Sequence, residues 1–181
     1  MTINIIGAGL AGVEACHYLS KKGYNIKLYE MRPVKMTPAH KSEKFGELVC
    51  SNSLRSDSLE NACGILKVEM EMHDSIVIKV ARKTAVPAGG ALAVDREGFS
   101  EMLTDYVKSL ENVEIIYGEI TEIDTSVPTI IATGPLTSDP LCEKIKELFG
   151  CDDFYFFDAQ APIIYADSID YNKVMSKNTV F

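Results

Sequence analysis

The sequence lacks several features that would assign it to a particular class of protein. No apolar run approaches the roughly 20 residues that a membrane-spanning helix needs, and no basic segment precedes the first apolar residues as in a signal peptide. The five cysteines show no CxxC or other metal-ligand spacing, and their number is odd. We therefore expect a cytoplasmic protein with reduced thiols, no metal site and no membrane association.

Basic residues are also scarce, since 18 Lys and Arg oppose 26 Asp and Glu and give a net charge of −8. This deficit argues against an extensive nucleic-acid-binding surface. The segment 32–55 is an exception, with five basic and two acidic residues. Any phosphate-binding surface on this chain would use that segment, although a solvated polar loop explains its charge equally well.

The most informative pattern lies in the first 30 residues. Ile3 to Ile6 predict a buried parallel strand, and Val13 to Lys22 predict a helix. A second apolar segment, Ile26 to Tyr29, ends at Glu30. Between the first strand and the helix stands a GxGxxG turn, which with the acid is typical of dinucleotide binding. The cofactor-binding residues predicted from this motif are Gly7, Ala8, Gly9, Leu10, Ala11, Gly12 and Glu30.

Each part of this motif has a physical task in a dinucleotide fold. Gly7 makes the tight turn, Gly9 lets the backbone approach a pyrophosphate, and Gly12 lets the helix pack closely on the strand. The helix amino terminus offers free N–H groups and a positive dipole end to the phosphates. We expect Glu30 to accept hydrogen bonds from ribose hydroxyls and to repel the 2′-phosphate of NADP.

The middle of the chain predicts a loop followed by a helix and a second glycine-rich turn. Segment 31–58 has little periodicity but enough apolar residues to predict an ordered loop laid over a site. Asp57 to Glu60 has a capping-box pattern, which predicts one helix continuing to about Ala81. Gly89 and Gly90 allow close backbone approach to a flat ligand, or form a plain turn before a strand. A helix is predicted over Asp95 to Leu110.

The remaining elements complete an α/β pattern. Val113 to Tyr117, Ile120 to Ile123 and Thr129 to Ala132 are predicted strands, and the last leads into a turn at Thr133 and Gly134 beside the nucleotide. Asp139 to Phe149 predicts a helix that Gly150 ends. Phe154 to Phe157 and Ile163 to Tyr165 are predicted strands as well. We expect a domain over residues 1–150, with an insertion at about 33–97, and the start of a truncated second domain over 151–181.

Taken together, these stretches resemble the amino-terminal part of one family, the folate- and FAD-dependent tRNA (uracil-5-)-methyltransferases. The resemblance is carried by Gly7-x-Gly9-x-x-Gly12, Tyr29-Glu30-Met31-Arg32-Pro33, Thr37-Pro38-Ala39-His40, Leu48-Val49-Cys50-Ser51-Asn52-Ser53, Pro87 to Arg96 and Ala132-Thr133-Gly134-Pro135-Leu136-Thr137. It covers essentially the whole chain but less than half of a family member. It implies a Rossmann-like FAD-binding α/β fold, with a parallel sheet, flanking helices and an inserted active-site loop, and adds Arg32, Gly89, Gly90, Thr133 and Gly134 to the cofactor-binding residues.

The activity that the resemblance implies is formation of 5-methyluridine in the T-loop of tRNA. Methylenetetrahydrofolate would be the carbon donor, reduced FAD the electron donor and NAD(P)H the flavin reductant. A second catalytic cysteine belongs to the carboxy-terminal half of family members, beyond this chain. We therefore expect the 181-residue chain alone to be inactive on RNA, and its exposed strand edges to favour a homo-oligomer.

The chemistry itself selects Cys50 as the candidate catalytic residue. C5 of uracil is a poor nucleophile until a group adds to C6, and a thiolate suits that addition. A reduced flavin can supply the hydride that converts the carried methylene to methyl. Cys50 lies in a polar loop, whereas Cys16, Cys63 and Cys142 fall in predicted helices. Whether Cys50 attacks the base or protects the flavin stays open at this point.

Four alternatives share parts of the pattern. A generic FAD-dependent oxidoreductase would have the first 30 residues and the Thr133 turn without needing the Cys50 loop. A tRNA wobble-uridine modifier resembles this family at its amino terminus, and an rRNA uridine methyltransferase differs only in its substrate. A non-catalytic FAD-binding module would keep the cofactor alone.

Overall fold

The chain folds into helices and strands in an α/β arrangement, which a computed structural model describes for residues 1–150. In chain order the elements are β1 (Thr2–Ile6), α1 (Leu10–Lys21), β2 (Asn25–Glu30), β3 (Ser53–Ser56), α2 (Ala62–Met72), α3 (Ile76–Lys83), β4 (Ala85–Val86), β5 (Ala91–Val94), α4 (Arg96–Lys108), β6 (Val113–Tyr117), β7 (Thr129–Ile131), a 3₁₀ helix (Gly134–Leu136) and α5 (Asp139–Phe149). The strands and the second domain predicted within 151–181 lie outside the described residues, and the predicted domain boundary stays a prediction.

A four-stranded parallel sheet in the order β6-β2-β1-β7 forms the base of the fold. Ile5 of β1 pairs in register with Leu28 of β2 and with Ile130 of β7. Ile5 and Leu28 are fully buried, because helices cover the sheet and the apolar runs of its central strands face no solvent. The carboxyl ends of β1 and β2 meet at one edge, which brings the glycine turn and Glu30 together. The predicted α/β class with a parallel sheet is confirmed.

The connection between β2 and β6 contains a smaller antiparallel sheet in the order β3-β5-β4, together with α2, α3 and α4. Helices α3 and α4 pack these elements on the main core, α3 through Val77 and Val80 and α4 through its inner face. Phe99, Leu103 and Val107 are fully buried there, as the helical spacing predicts. Asp95 is the N-cap of α4, and its carboxylate accepts a hydrogen bond from Gly98 N at 3.3 Å.

The predicted single helix up to Ala81 is wrong, because the structure has two helices there. Asn61, not the Asp57 capping box, caps α2 by accepting a bond from Gly64 N. The break between α2 and α3 occurs at Asp74, which adopts a left-handed φ of +66°. Ser75 then caps α3 by accepting from Ile78 N.

The last described elements follow the prediction except at one segment. Helix α5 has the predicted bounds and ends at Gly150, whose φ of +62° is the left-handed conformation that glycine favours. Ile120 to Ile123, predicted as a strand, form no strand, and Ile120 and Ile123 pack beside Ile6 and Leu141 instead. Within residues 1–150, no helix has the length and apolarity to cross a membrane.

The loop after β2 is ordered and covers the glycine turn, as predicted. Phe45 is fully buried in the core, and its backbone N–H donates to Thr104 Oγ1 of α4 at 2.8 Å. The next residue, Gly46, donates its N–H to the carbonyl oxygen of Ala8 at 2.8 Å. A Cβ on Gly46 would lie 2.5 Å from a methyl carbon of Leu103, so the close approach of this loop requires glycine.

Candidate functional site

The glycine turn after β1 has the geometry that a dinucleotide site needs. Gly7 has φ +100°, and its N–H donates to the carbonyl of Tyr29 at 2.8 Å. A Cβ on Gly12 would lie 1.8 Å from the carbonyl oxygen of Gly7, so helix and turn could not pack with any larger residue. Two of the three predicted glycine tasks, the tight turn and the close packing, are therefore visible in the fold.

Gly9 differs from its neighbours because its open side faces no protein. A Cβ there would meet only the carbonyl oxygen of Ala132, at 3.9 Å. The first helical hydrogen bond of α1 runs from Val13 N to Gly9 O at 3.0 Å, so the N–H groups ahead of Val13 have no helical acceptor. This open backbone at a helix start fits the phosphates of a dinucleotide.

Glu30 ends β2 beside this turn and is already held by several donors. Its Oε2 accepts from Ala8 N at 2.9 Å and from Arg32 Nη2 at 3.2 Å. Its Oε1 accepts from Arg32 N at 3.0 Å and from Arg32 Nε at 2.9 Å. Burial acts to raise the pKa of Glu30, but the bonds and charge of Arg32 and the Ala8 N–H together lower it below the ordinary value. Glu30 is thus an ionised, oriented carboxylate.

Arg32 joins Glu30 to a second buried acid, Glu47. Only 2% of Arg32 is exposed, and its Nη1 donates to Ser42 O at 3.3 Å and to Glu47 Oε2 at 3.4 Å. Glu47 also accepts from Lys41 N at 3.0 Å and from the Ser42 hydroxyl at 2.8 Å. Burial opposes ionisation of Glu47, yet these bonds bring its pKa below the ordinary value. The guanidinium therefore fastens the loop to the end of β2.

A small pocket of about 80 Å³, here called the sheet-edge pocket, opens where β1, β2, β6 and β7 end. Its lining includes six of the twelve predicted cofactor residues, together with several residues that the sequence did not single out. These lining residues are Gly7, Ala8, Gly9, Glu30, Arg32, Thr37, His40, Gly118, Glu119, Ile120, Thr133 and Thr137, among others. Thr133 Oγ1 lies 2.5 Å from Thr137 Oγ1, which fixes the turn after β7.

His40 is the titratable group that sequence reasoning missed in this pocket. Its Nδ1 lies 2.6 Å from Thr37 Oγ1, and its backbone N–H donates to the same hydroxyl at 3.2 Å. Burial, and then the charge of Arg32, lower the pKa of His40, while Glu47 and Glu30 act in the opposite direction. Thr37 and His40 both belong to the Thr37-Pro38-Ala39-His40 motif, which carried the family resemblance, but the sequence assigned neither residue a role in the site.

Cys50 lies in a different and larger cavity, the Cys50 pocket, with a volume of about 620 Å³. It is lined by Leu10, Ala11, Glu14, Glu47, Leu48, Val49, Cys50, Ser51, Ser53, Leu54, Arg55, Cys63, Leu66, Lys67, Met70, Val77 and Ile78. Cys50 is exposed, whereas Cys16 is buried in α1 with its pKa raised to about 12 by that burial. Cys63 also lines the pocket, which its predicted role as a core residue did not anticipate.

Consecutive residues at the start of α1 line the two pockets. Ala8 and Gly9 line the sheet-edge pocket, while the next two residues, Leu10 and Ala11, line the Cys50 pocket. In the part of the chain that the structure describes, no group of three or more His, Cys, Asp and Glu is arranged to hold a metal ion.

Four predicted cofactor residues either line neither of these two pockets or have their side chain already bound by protein atoms. Gly89 and Gly90 lie at an exposed turn and line neither pocket of the described residues, although Gly90 O accepts a bond from Asp57 N at 2.8 Å. Gly134 has φ +61° and follows Thr133 without lining either pocket. Arg32 lines the sheet-edge pocket with its guanidinium bound by protein acceptors. Contact of these residues with a cofactor stays a prediction.

The parallel sheet, the glycine turn and the ionised acid at the end of β2 define a Rossmann-like α/β protein with a dinucleotide-type site. The chain belongs to the family described as glucose inhibited division protein A, whose family profile matches residues 2–180. The resemblance to folate-dependent tRNA methyltransferases is confirmed by its relatives. A Lactococcus lactis protein named methylenetetrahydrofolate--tRNA-(uracil-5-)-methyltransferase TrmFO is 60% identical over 97% of this chain and 39% of its own length. A Bacillus cereus protein of the same name is 57% identical over 97% of this chain and 40% of its own length.

The chain therefore spans about two fifths of the length of these relatives. Among solved structures it is similar to PqsL, a probable FAD-dependent monooxygenase from Pseudomonas aeruginosa, with a TM-score of 0.48 and 12% identity over 85% of this chain and 46% of that one. It is also similar to the GidA-related protein from Thermus thermophilus, with a TM-score of 0.38 and 14% identity over 74% of this chain and 52% of that one.

Proposed function

We propose that this chain is the amino-terminal part of a flavoenzyme that methylates C5 of a uridine in the T-loop of tRNA, with methylenetetrahydrofolate as carbon donor. The observation that carries the proposal is that consecutive residues at the start of α1 line the two pockets. Gly9, in the cofactor-type turn, lines the sheet-edge pocket, and the next residue, Leu10, lines the cavity that contains an accessible thiol. Relatives that are 60% and 57% identical bear the name of this activity.

The residues of the sheet-edge pocket fit FAD. The open backbone at Gly9 and the N–H groups at the start of α1 would hold its phosphates, and Glu30 would orient its ribose. Arg32 keeps the carboxylate of Glu30 ionised and directed at this edge. FAD, when bound and reduced, supplies the hydride that completes a methyl group.

Cys50 has the role of nucleophile in this proposal. Its thiolate adds to C6 of the uracil, which makes C5 nucleophilic toward the folate-borne carbon. The new carbon–C5 bond would be balanced by loss of the C5 proton and by cleavage of the bond between that carbon and the folate nitrogen, so that tetrahydrofolate leaves. With the hydride from the reduced flavin the carbon would become methyl, and elimination of the Cys50 thiolate restores the C5–C6 double bond. In the alternative role Cys50 protects the flavin, and a cysteine supplied by the rest of the enzyme attacks the base.

Contacts with tRNA phosphates are expected to be few in this part of the enzyme. The basic segment 32–55 offers less charge than its composition suggests, because Arg32 is buried, Lys35 is paired with Glu119 and Lys44 with Glu101. Lys41 and Arg55 make no salt bridge within residues 1–150. NAD(P)H as flavin reductant, a cytoplasmic location and a homo-oligomer complete the proposal, with rRNA as the alternative substrate.

The decisive experiment is a chimera in which the 176 matched residues of this chain replace the corresponding region of the Lactococcus lactis relative. The chimera is supplied with methylenetetrahydrofolate, NADH or NADPH, and either a tRNA transcript or an rRNA fragment. We expect bound flavin and 5-methyluridine in the tRNA, none from the Cys50→Ser chimera, and none from the 181-residue chain alone.

Two results would refute parts of this proposal. A folded chimera that binds flavin but methylates neither RNA would favour the generic oxidoreductase. Full activity of the Cys50→Ser chimera would remove Cys50 from the chemistry, and intermediate activity with a loss of flavin would support its protective role.

A further inference from the structure

The Cys50 pocket is lined by two cations, buried Lys67 and exposed Arg55, that form no salt bridge with an acid of the described residues. Lys67 is only 5% exposed, yet its Nζ donates to two backbone carbonyls, Ser56 O at 2.7 Å and Cys63 O at 3.1 Å. An ammonium group has three donors, so one remains for another partner. Arg55 also lines the pocket, and its side chain makes no salt bridge within residues 1–150. A buried cation without a counter-charge is costly.

The two acids that line the same pocket are already bound by other donors. Glu14 accepts from Ser75 Oγ at 2.8 Å, from Ile76 N and from Val77 N, both at 3.1 Å, so it caps α3. Glu47 is held by Arg32 and by the loop, as described above. Within residues 1–150, the two cations of the pocket therefore have no salt-bridged acid, whereas its two acids are bound by other donors.

Asp57, which does not line the pocket, is a further acid that the charge of Lys67 affects. The hydrogen bond from Arg82 lowers the pKa of Asp57 below its ordinary value, with smaller help from the charges of Arg82 and Lys67 and against the effect of burial. Asp57 forms its salt bridge with Arg82 and none with Lys67 within residues 1–150, and its buried Oδ1 has no hydrogen-bond partner there.

The remaining lining suits the body of an organic ligand. Leucine, valine and isoleucine occupy seven of the 17 lining positions, and the volume of about 620 Å³ lies within the range of small-molecule sites, roughly 300–1,000 Å³. Apolar walls with a few convergent polar groups are typical of such sites. Bound water alone would leave the positive charge of Lys67 without an anion.

We propose that Lys67 and Arg55 form the anion-binding end of the Cys50 pocket, which takes a ligand with a flat heteroaromatic body and a carboxylate or phosphate group. This inference deepens the proposed function, because it names the ligand chemistry of the pocket that contains the candidate nucleophile. A reduced folate, through its glutamate carboxylates, and a uridine nucleotide, through its phosphate, are the two sources of that chemistry.

The test is calorimetric titration of the 181-residue chain with two anionic probes, folinic acid and uridine 5′-monophosphate, and with neutral uridine. Each titration is run on the chain with and without added FAD, and flavin retention is recorded separately. The variants are Lys67→Met and Arg55→Met, with Lys83→Met as a control because Lys83 is exposed on α3 and lines no part of this pocket. Arg55 has φ +66°, and Met keeps the same backbone strain.

We expect at least one anionic probe to bind more tightly than uridine, and each pocket variant to weaken that binding by about tenfold or more, as for a lost hydrogen bond to a charged group. Lys83→Met should bind like the parent chain. Folinic acid alone would identify a carboxylate site, and uridine 5′-monophosphate alone a phosphate site. Should Lys67→Met fail to fold, since Lys67 also joins α2 to β3, Arg55→Met decides the question.

Three results would overturn the inference: no binding of either anion, equal binding by Arg55→Met and the parent, or loss of flavin from both pocket variants. The last would assign the two cations to the cofactor. A chain that retains no flavin but binds an anion through these residues would contradict the cofactor part of the proposed function and leave the anion site intact.

Discussion

The backbone N–H of Gly46 donates a hydrogen bond of 2.8 Å to the carbonyl oxygen of Ala8, which joins the loop that carries Cys50 to the turn of the cofactor motif. Arg32 makes a second connection between the same parts, from Glu30 to Glu47. Because the loop has its own anchor in the core at Phe45, the thiol and the turn are held in one arrangement. Positioning of this kind is what a reaction between separately bound groups requires.

Gly12 and Gly9 should respond differently to alanine. Alanine at Gly12 gains up to about 1 kcal/mol of helix propensity, but its Cβ would lie 1.8 Å from the carbonyl oxygen of Gly7. Overpacking of this kind costs roughly 1–3 kcal/mol, and here the neighbour is backbone that cannot turn away. We expect Gly12→Ala to lower the free energy of unfolding by about 2 kcal/mol and to abolish flavin binding, measured by urea denaturation and absorbance.

Gly9→Ala is the matched control for the fold. The conformation of Gly9, φ −71° and ψ −172°, is open to any residue, and the nearest protein atom to a new Cβ is 3.9 Å away. We expect less than about 1 kcal/mol of destabilisation, from a weaker helix cap, together with reduced flavin affinity. Unchanged flavin affinity in a stable Gly9→Ala protein would mean that no ligand approaches the backbone there.

Glu30→Gln should affect both stability and cofactor binding. In the structure the carboxylate is 5% exposed and paired with Arg32 at 2.9 Å. Breaking a buried pair costs about 3–5 kcal/mol. Because Arg32 retains its contact with Glu47 in the variant, we expect the free energy of unfolding, measured by urea denaturation, to fall by about 3 kcal/mol. Flavin affinity should fall as well.

Glu119→Gln is the control, because Glu119 lines the same pocket but forms a partly exposed pair with Lys35. Exposed pairs contribute about 0–1 kcal/mol. Equal losses of stability in the two variants would contradict the special role assigned to the buried pair.

The fold around the sheet-edge pocket could be predicted from the sequence because its determinants are local. Gly7, Gly12 and Glu30 stand at fixed offsets along one strand-turn-helix-strand unit, and the parallel pairing of β1 with β2 brings the ends of those strands together. Helix α5 was equally clear, since its apolar spacing and the glycine that follows it are both local signals.

The Arg32–Glu47 contact and the lining of the Cys50 pocket could not be predicted in this way. They depend on how a long loop folds back, which has no periodicity. The break at Asp74 was missed for a related reason. The carboxylate of Asp74 is paired with Lys21 and Lys79, and Lys21 lies on α1, far from Asp74 in the sequence. Glu14, also on α1, then caps the start of α3.

His40 should make stability depend on pH just below neutrality. Its folded pKa is lowered from the ordinary 6.5 by burial and by Arg32. The unfolded chain therefore takes up a proton at His40 before the folded chain does. The contribution of neutral His40 is fully present above about pH 6.5 and is lost as the pH falls toward the lower folded pKa.

The measurement is urea denaturation of the parent and of His40→Asn at several pH values between about 7.5 and 5. This range stays above the ordinary pKa of about 4.3 for glutamate, so Glu30 and Glu47 remain ionised. The stability difference between parent and variant should shrink as the pH falls through about 6.5. Parallel curves for the two proteins would contradict the assignment of a neutral, partly buried imidazole.

Cys50 should be the first of the described cysteines to react with iodoacetamide near pH 7.5. It is exposed at the Cys50 pocket, whereas burial raises the pKa of Cys142 and raises that of Cys16 from 9.0 to about 12. A rise of three pKa units leaves about a thousandfold less thiolate, the reactive form, so Cys16 should react only when the fold opens. Brief alkylation followed by peptide mapping gives the order, and Cys50→Ser identifies the peptide. Modification of Cys63 or Cys142 ahead of Cys50 would transfer the candidate role to that thiol, since an accessible thiolate is the property that the proposed addition to uracil requires.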